Sequence, residues 1–222
     1  MDFTTIDESF GLVTKLLNKI INLDTKRAEI PLYVHELKQL RFKAKPTGFS
    51  AIIKFWGADH PRNQTLPPPQ RWHTSIKIEI ILYEEMIFSH VEKSVYHEYS
   101  DSLSEIAQSI PCYSLQEVLA EKLRSLIQRS YTAPRDFYDI WYLSQNVANL
   151  NWTEIVEAFY QKMKFKGLEF TGNDQMINED NDRRLQAAWN NSLAHQIPGQ
   201  DFPDYQLVKE DLLLLFKDLF KN

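Results

Sequence analysis

Lys122 stands where the local pattern asks for an apolar residue. It lies in Ser114-Leu115-Gln116-Glu117-Val118-Leu119-Ala120-Glu121-Lys122-Leu123-Arg124-Ser125-Leu126-Ile127, where Ser114 and Glu117, three residues on, read as a capping box that sets the helix register. At 3.6 residues per turn, Leu115, Val118, Leu119, Leu123 and Leu126 share one arc, and Lys122 falls inside it at roughly 20° from Leu115. Burying an unpaired ammonium costs several kcal/mol, so Lys122 is expected to project toward carboxylates or a bound anion in a cleft. Asp136 and Asp139 follow Pro134, a residue suited to a first helical turn, and sit on adjoining parts of the next helix near its N-terminus. Two readings stay open on chemistry alone. Either the carboxylates have a functional role beside Lys122, or Asp136 favours the helix dipole while Asp139 forms a structural ion pair with Lys122 or Arg135.

The elements that must position these groups can be read in outline. Asp7 to Ile21 carries Phe10, Val13, Leu16, Leu17, Ile20 and Ile21 at helical spacing, with Asp7 or Ser9 as a cap. Leu32 to Lys45, the turn Lys45-Pro46-Thr47-Gly48, and Phe49 to Trp56 predict a hairpin. Ala58 to Trp72, with Pro61, Pro67, Pro68 and Pro69, is an extended loop barred from a central ladder. It delivers a strand over 76–82, where Ile76, Ile78, Ile80 and Leu82 alternate with Lys77, Glu79 and Ile81, so that Glu79 opposes the isoleucines. Glu79 can face a cleft, or pair with Lys77 on a solvated sheet face. Ile106 to Tyr113 predicts a short strand, and helices follow near 152–165, 180–195 and 204–220. The expected architecture is a mixed lobe and then a helical lobe with the cleft between them.

Composition narrows the class. A chain of 222 residues, 43% apolar and 25% charged, is ordinary for a globular protein. No charged and apolar leader pattern opens it, and the run Leu212 to Phe216 is too short to span a bilayer, so no membrane association and a cytoplasmic location are expected. The single cysteine, Cys112, allows no internal disulfide and agrees with a reducing compartment. A net charge of −5 argues against nucleic-acid binding over the whole surface. Two local cationic clusters remain: Lys38, Arg41, Lys43 and Lys45, and, beside the lysine motif, Arg124, Arg129 and Arg135. Residues 178–182, Asn-Glu-Asp-Asn-Asp, read as a solvated acidic linker. His35, His60, His73, His90 and His97 show no metal-ligand or triad spacing.

The run Leu119-Ala120-Glu121-Lys122-Leu123-Arg124, with Arg135-Asp136-Phe137-Tyr138-Asp139-Ile140-Trp141-Tyr142-Leu143, resembles the paired helical motifs of the AbiEii/AbiGii toxin family. That family belongs to the nucleotidyltransferase superfamily, whose better-known fold is that of DNA polymerase β. Ile76-Lys77-Ile78-Glu79-Ile80 resembles its strand carrying the third metal carboxylate, usually Asp, and Trp189, Leu193 and Phe202-Pro203-Asp204 resemble its C-terminal helical segment. The resemblance implies an α+β fold, with a nucleotidyltransferase-like mixed β-sheet lobe over 1–112 and a helical lobe over 113–222. It also implies transfer of a nucleotide from a nucleoside triphosphate to an RNA or other acceptor. Asp2 and Glu79 would hold Mg²⁺, Lys122, Arg124 and Arg135 would bind the nucleotide, and Asp136 and Asp139 would position or activate the acceptor. The setting implied is a toxin–antitoxin, abortive-infection system with an antitoxin partner.

Family members typically carry a Gly-Gly-Thr/Ser element and an Arg-x-Ser-x-Asp-x-Asp segment. Met1-Asp2-Phe3-Thr4-Thr5 resembles the tail of that segment, with Asp2 matching the second carboxylate. The sequence given lacks the glycine element and first carboxylate, so three expectations stand: a start further upstream, a truncated or degenerate copy, or a part supplied by another polypeptide. Glu79 in place of Asp reaches about one methylene further, which would shift a strictly octahedral Mg²⁺. Weak metal affinity and low or absent activity follow for the chain as given. The competing reading is a catalytically impaired remnant that binds nucleotide, RNA or protein.

Overall fold

The computed structural model describes residues 3–28, 30–42, 45–57, 65–94, 109–129, 133–197 and 202–221. The chain divides into two compact units, Met1–Glu84 and Glu85–Asn222, each with its own packing.

The first unit begins with helix α1 (Phe3–Ala28), longer at both ends than apolar spacing suggests. A three-stranded antiparallel sheet follows, β1 (Leu32–Phe42), β2 (Lys45–Phe55) and β3 (Ser75–Ile81), with β2 in the centre. The expected hairpin is present, but Lys45-Pro46-Thr47-Gly48 is not its turn. These residues already belong to β2, with Phe42 opposite Lys45 and Arg41 opposite Pro46. Proline is admissible in this central strand because β3 pairs only with Gly48 to Lys54, and a register shift lies between Leu40 and Arg41. Gly48 is required by close approach: a Cβ there would lie 2.1 Å from the Ile80 carbonyl oxygen. Phe49, Ala51 and Ile53 are buried on one face of β2, and the Phe49 ring lies 5.7 Å from that of Phe10 on α1. The proline-rich segment ends in a single 3-10 turn, Pro69–Arg71, and Trp72 Nε1 donates to the Pro67 carbonyl at 2.9 Å.

In the second unit, a ribbon of β4 (Val91–Lys93) and β5 (Ile110–Cys112) precedes five helices. These are α2 (Leu115–Gln128), α3 (Pro134–Asn146), α4 (Trp152–Lys166), α5 (Glu179–Leu193) and α6 (Tyr205–Leu219). The α+β class holds, and the three helices expected after residue 150 lie close to their predicted bounds. Of the strand predicted over 106–113, Ile110–Cys112 forms β5, Ser109 and Tyr113 flank it outside the strand, and 106–108 lie outside the described residues. One core joins Leu119 and Leu123, Phe137 and Ile140, Ile155 and Phe159, Leu185 and Trp189, and Leu212 and Phe216. Trp189 is satisfied within it by donating to the Pro203 carbonyl at 3.0 Å. The acidic segment 178–182 is not a linker. Asn178 caps α5 in a reciprocal box with Asn181, and Glu179, Asp180 and Asp182 occupy its first turn, where the helix dipole favours negative charge.

Candidate active site

Helix α2 carries an N-terminal cap, but only half of the expected box. The Glu117 amide donates to Ser114 Oγ at 3.1 Å, whereas the Glu117 carboxylate turns away from the cap. Its Oε2 accepts from the Ile87 and Phe88 amides at 3.1 and 2.9 Å, and its Oε1 lies 2.6 Å from Lys162 Nζ. Both side chains of that pair are only 1% exposed. Lys162, on α4, also donates to the Glu85 carbonyl at 2.7 Å and lies 3.6 Å from Glu121. The fully buried charge on α2 is therefore Glu117, not Lys122. Its buried face is turned away from the arc centred on Leu115, which is 43% exposed, toward Glu117, Leu119, Ala120, Leu123 and Arg124. Helical periodicity could not anticipate this, because Glu117 and Arg124 become compatible with burial only through their partners.

Lys122 sits on the flank of that face. Its ammonium lies 3.0 Å from Asp136 Oδ1 and 2.6 Å from Asp139 Oδ2, with its side chain 19% exposed. Pro134 opens α3 and Asp136 occupies its first turn, so both carboxylates point from one helix to a lysine on the other. Arg129 pairs with the other oxygen of Asp136, and Arg135 lies 3.7 Å from Asp139 one turn away. Three cations thus surround two carboxylates. Asp136 is nearly closed off, with 8% of its side chain exposed, whereas Asp139 is the more open at 27%.

Among the residues expected at the site, Lys122, Asp136, Asp139 and Arg135 come together. Arg124 does not join them: it is buried and committed to Glu121, with Nε donating to Oε2 at 3.1 Å, and to Gln128. Arg129, grouped in the sequence only as part of a cationic cluster, takes the place expected of Arg124. Glu79 lies on β3 in the first unit, half exposed and 2.6 Å from Lys77, the same-face surface pair that the strand spacing allowed. The isoleucines opposite it are not a buried face, since Ile76 is 51% exposed. Asp2 lies outside the described residues. Among the described residues no group of three or more His, Cys, Asp or Glu side chains could hold a metal ion. With Glu79 engaged by Lys77, the described donors do not by themselves fit a Mg²⁺ site. Sequence reasoning missed Lys162 entirely; its signal, a lysine within the apolar stripe Ile155, Phe159 and Met163 of α4, is of the same kind that singled out Lys122.

Among the described residues no helix is long and apolar enough to cross a membrane. No curated protein matches the chain. A family model described as nucleotidyl transferase AbiEii toxin, type IV TA system, matches residues 1–210, and this span takes in α2, α3 and the whole lysine and carboxylate cluster. The chain, nearly all of it covered by that match, therefore belongs to the AbiEii nucleotidyl transferase toxin family of type IV toxin–antitoxin systems.

Proposed function

We propose that the Lys122 cluster is the reaction centre of a nucleotidyltransferase that moves a nucleotide from a nucleoside triphosphate to a hydroxyl of an RNA or other acceptor. The observation that carries this reading is the convergence of Lys122 with Asp136 and Asp139 from two consecutive helices. In this reaction the acceptor oxygen forms a bond to the α-phosphorus, the bond to the β-phosphate oxygen breaks, pyrophosphate leaves and the hydroxyl proton passes to a base. Asp139 is the more open carboxylate and suits the last task. Asp136, held between Lys122 and Arg129, is a positioning residue that fixes the ammonium. Lys122, with Arg135 beside it, supplies positive charge to the phosphates, and the three cations that the described residues bring to the cluster suit an anionic substrate.

The acceptor class, the dependence on Mg²⁺ and the action as a toxin opposed by an antitoxin belong to the same proposal. The described residues do not assemble the ligands of a metal ion, so every role above rests on side chains of the protein itself. A cytoplasmic location, where nucleoside triphosphates and RNA are both present, belongs to the same proposal. One observation favours the alternative of an impaired, nucleotide-, RNA- or protein-binding remnant: among the described residues Glu79 belongs to no metal-binding group of carboxylates and is paired with Lys77.

The test is transfer of label from each of the four α-labelled nucleoside triphosphates to total RNA, with and without Mg²⁺. Incorporation by the chain should be low, in keeping with the missing first carboxylate, and Lys122→Ala and Asp139→Asn should each reduce it further on the order of 100-fold, the scale of lost electrostatic or acid–base assistance. Incorporation unchanged in a folded Lys122→Ala protein removes the proposed role. Nucleotide binding without incorporation favours the binding remnant.

A further inference from the structure

Beside the ion cluster, α3 carries a second set of groups on an adjoining face that shares Arg135 and Asp139 with it. At 3.6 residues per turn, Arg135, Tyr138, Asp139 and Tyr142 fall within one arc of roughly 100°. The rings of Tyr138 and Tyr142 are stacked, with centroids 5.7 Å apart and planes 24° from parallel. This stack has a fixed backing. Trp141 lies 6.0 Å from Tyr138, and its Nε1 donates to Asp211 Oδ2 on α6 at 2.8 Å, which ties the aromatic group to the helical core. Tyr142 is nevertheless 46% exposed, and stacking on Tyr138 occupies only one face of its ring. At the other end of the stripe, the side chain of Arg135 is 71% exposed.

Such a stripe offers a flat π surface at one end and positive charge at the other. From Arg135 to Tyr142 the helix rises about 10.5 Å, comparable with the separation of base and terminal phosphate in an extended nucleoside triphosphate. Asp139 lies between them. Resting on the nucleotidyl-transfer reading above, we propose that Tyr142, braced by Tyr138 and Trp141, is the stacking seat for the base of the incoming nucleoside triphosphate, with its phosphates toward Arg135 and Lys122. Stacking on an aromatic ring tolerates any base because every base has a π face, so Tyr142 supplies affinity and orientation with little base preference.

Equilibrium binding of the four nucleoside triphosphates, of inorganic tripolyphosphate as the base-free probe, and of a single-stranded oligonucleotide lacking a triphosphate separates the possibilities. Tyr142→Ala should weaken every nucleoside triphosphate on the order of tenfold and leave tripolyphosphate unchanged, while Tyr142→Trp retains or tightens nucleotide binding. Tyr142→Gln, which keeps a good helix former but no ring, should repeat the alanine result if the alanine protein folds poorly. Unaltered nucleotide affinity in these variants overturns the seat and leaves the nucleotidyl-transfer reading standing. Weakened oligonucleotide binding with unaltered nucleotide affinity overturns it too, and assigns the rings to the acceptor strand. Equal weakening of tripolyphosphate overturns it in favour of a general disturbance of the site. If the unmodified protein binds neither nucleotide nor tripolyphosphate, both readings fall.

Discussion

Replacing Lys162 by Met should be the most destabilising single change of a charged residue in the second unit. The methionine fills nearly the same volume in the stripe beside Phe159 but removes the ammonium 2.6 Å from Glu117, leaving a carboxylate that is 1% exposed. Removing one partner of a buried ion pair typically costs about 3–5 kcal/mol, because the remaining charge stays desolvated. Glu117 keeps the Ile87 and Phe88 amides as donors, which places the expected loss near the lower end, about 3 kcal/mol. Against the roughly 5–15 kcal/mol that hold a domain folded, this is a large fraction. In urea, with a slope of about 1–3 kcal/mol per molar, the midpoint should fall by roughly 1–3 M, read by far-ultraviolet circular dichroism. Adding Glu117→Gln to Lys162→Met removes the stranded charge while an amide oxygen can still accept from Ile87 and Phe88. The double variant should therefore recover on the order of 2 kcal/mol, a coupling typical of residues in contact. Amide exchange at Ile87 and Phe88 should quicken in Lys162→Met in step with the lost stability, since these N–H groups are held by Glu117 only in the folded unit. A midpoint shift below about 0.3 M, or a double variant no more stable than Lys162→Met, would refute the claim that Lys162 compensates the buried charge of Glu117.

Two further outcomes follow from the packing. Asp182, on α5, is 2.6 Å from the Tyr205 hydroxyl and 2.7 Å from Lys209 Nζ on α6. Burial alone would raise its pKa, but donation from Lys209 and Tyr205 brings it below its ordinary value of 3.8, while burial and then the Asp182 carboxylate push the Tyr205 hydroxyl up and keep it protonated as the donor. The stability Asp182 contributes is present above its unfolded pKa of 3.8 and lost as pH falls through the lower folded value. The urea-midpoint gap between the unmodified protein and Asp182→Asn should accordingly be steady at neutral pH and close below 3.8; a gap that does not narrow there rejects the link. Gly48→Ala would place a Cβ 2.1 Å from the Ile80 carbonyl oxygen, a backbone atom that cannot yield without parting β2 from β3. A loss of about 1–3 kcal/mol by urea unfolding is expected, as for other overpacked sites, and no loss would mean that the strands can separate there at no cost.

By itself the sequence determined what depends on neighbours along the chain. The Ser114 cap, the proline at the head of α3, the spacing of the later helices and the β1–β2 hairpin all arise from contacts within a few residues, and periodicity registers them directly. The family motif likewise lies in two consecutive helices, so Lys122 could be matched with Asp136 and Asp139 before their contact was known. Tertiary structure decided which charges are buried and who meets them. Glu117 reads as a capping residue until Lys162, from another helix, and the amides of residues 87 and 88 arrive to hold it elsewhere. Arg124 reads as part of a cationic patch until Glu121 and Gln128 engage it on the buried side. Tyr138, Trp141 and Tyr142 enter the sequence reading only as members of the motif run 135–143, with no role of their own, until Asp211, seventy residues beyond Trp141, fixes the indole behind the tyrosine stack. An angle on a helical wheel states where a side chain leaves the backbone; the cost of burying its charge depends on groups that only the folded chain brings within hydrogen-bonding distance.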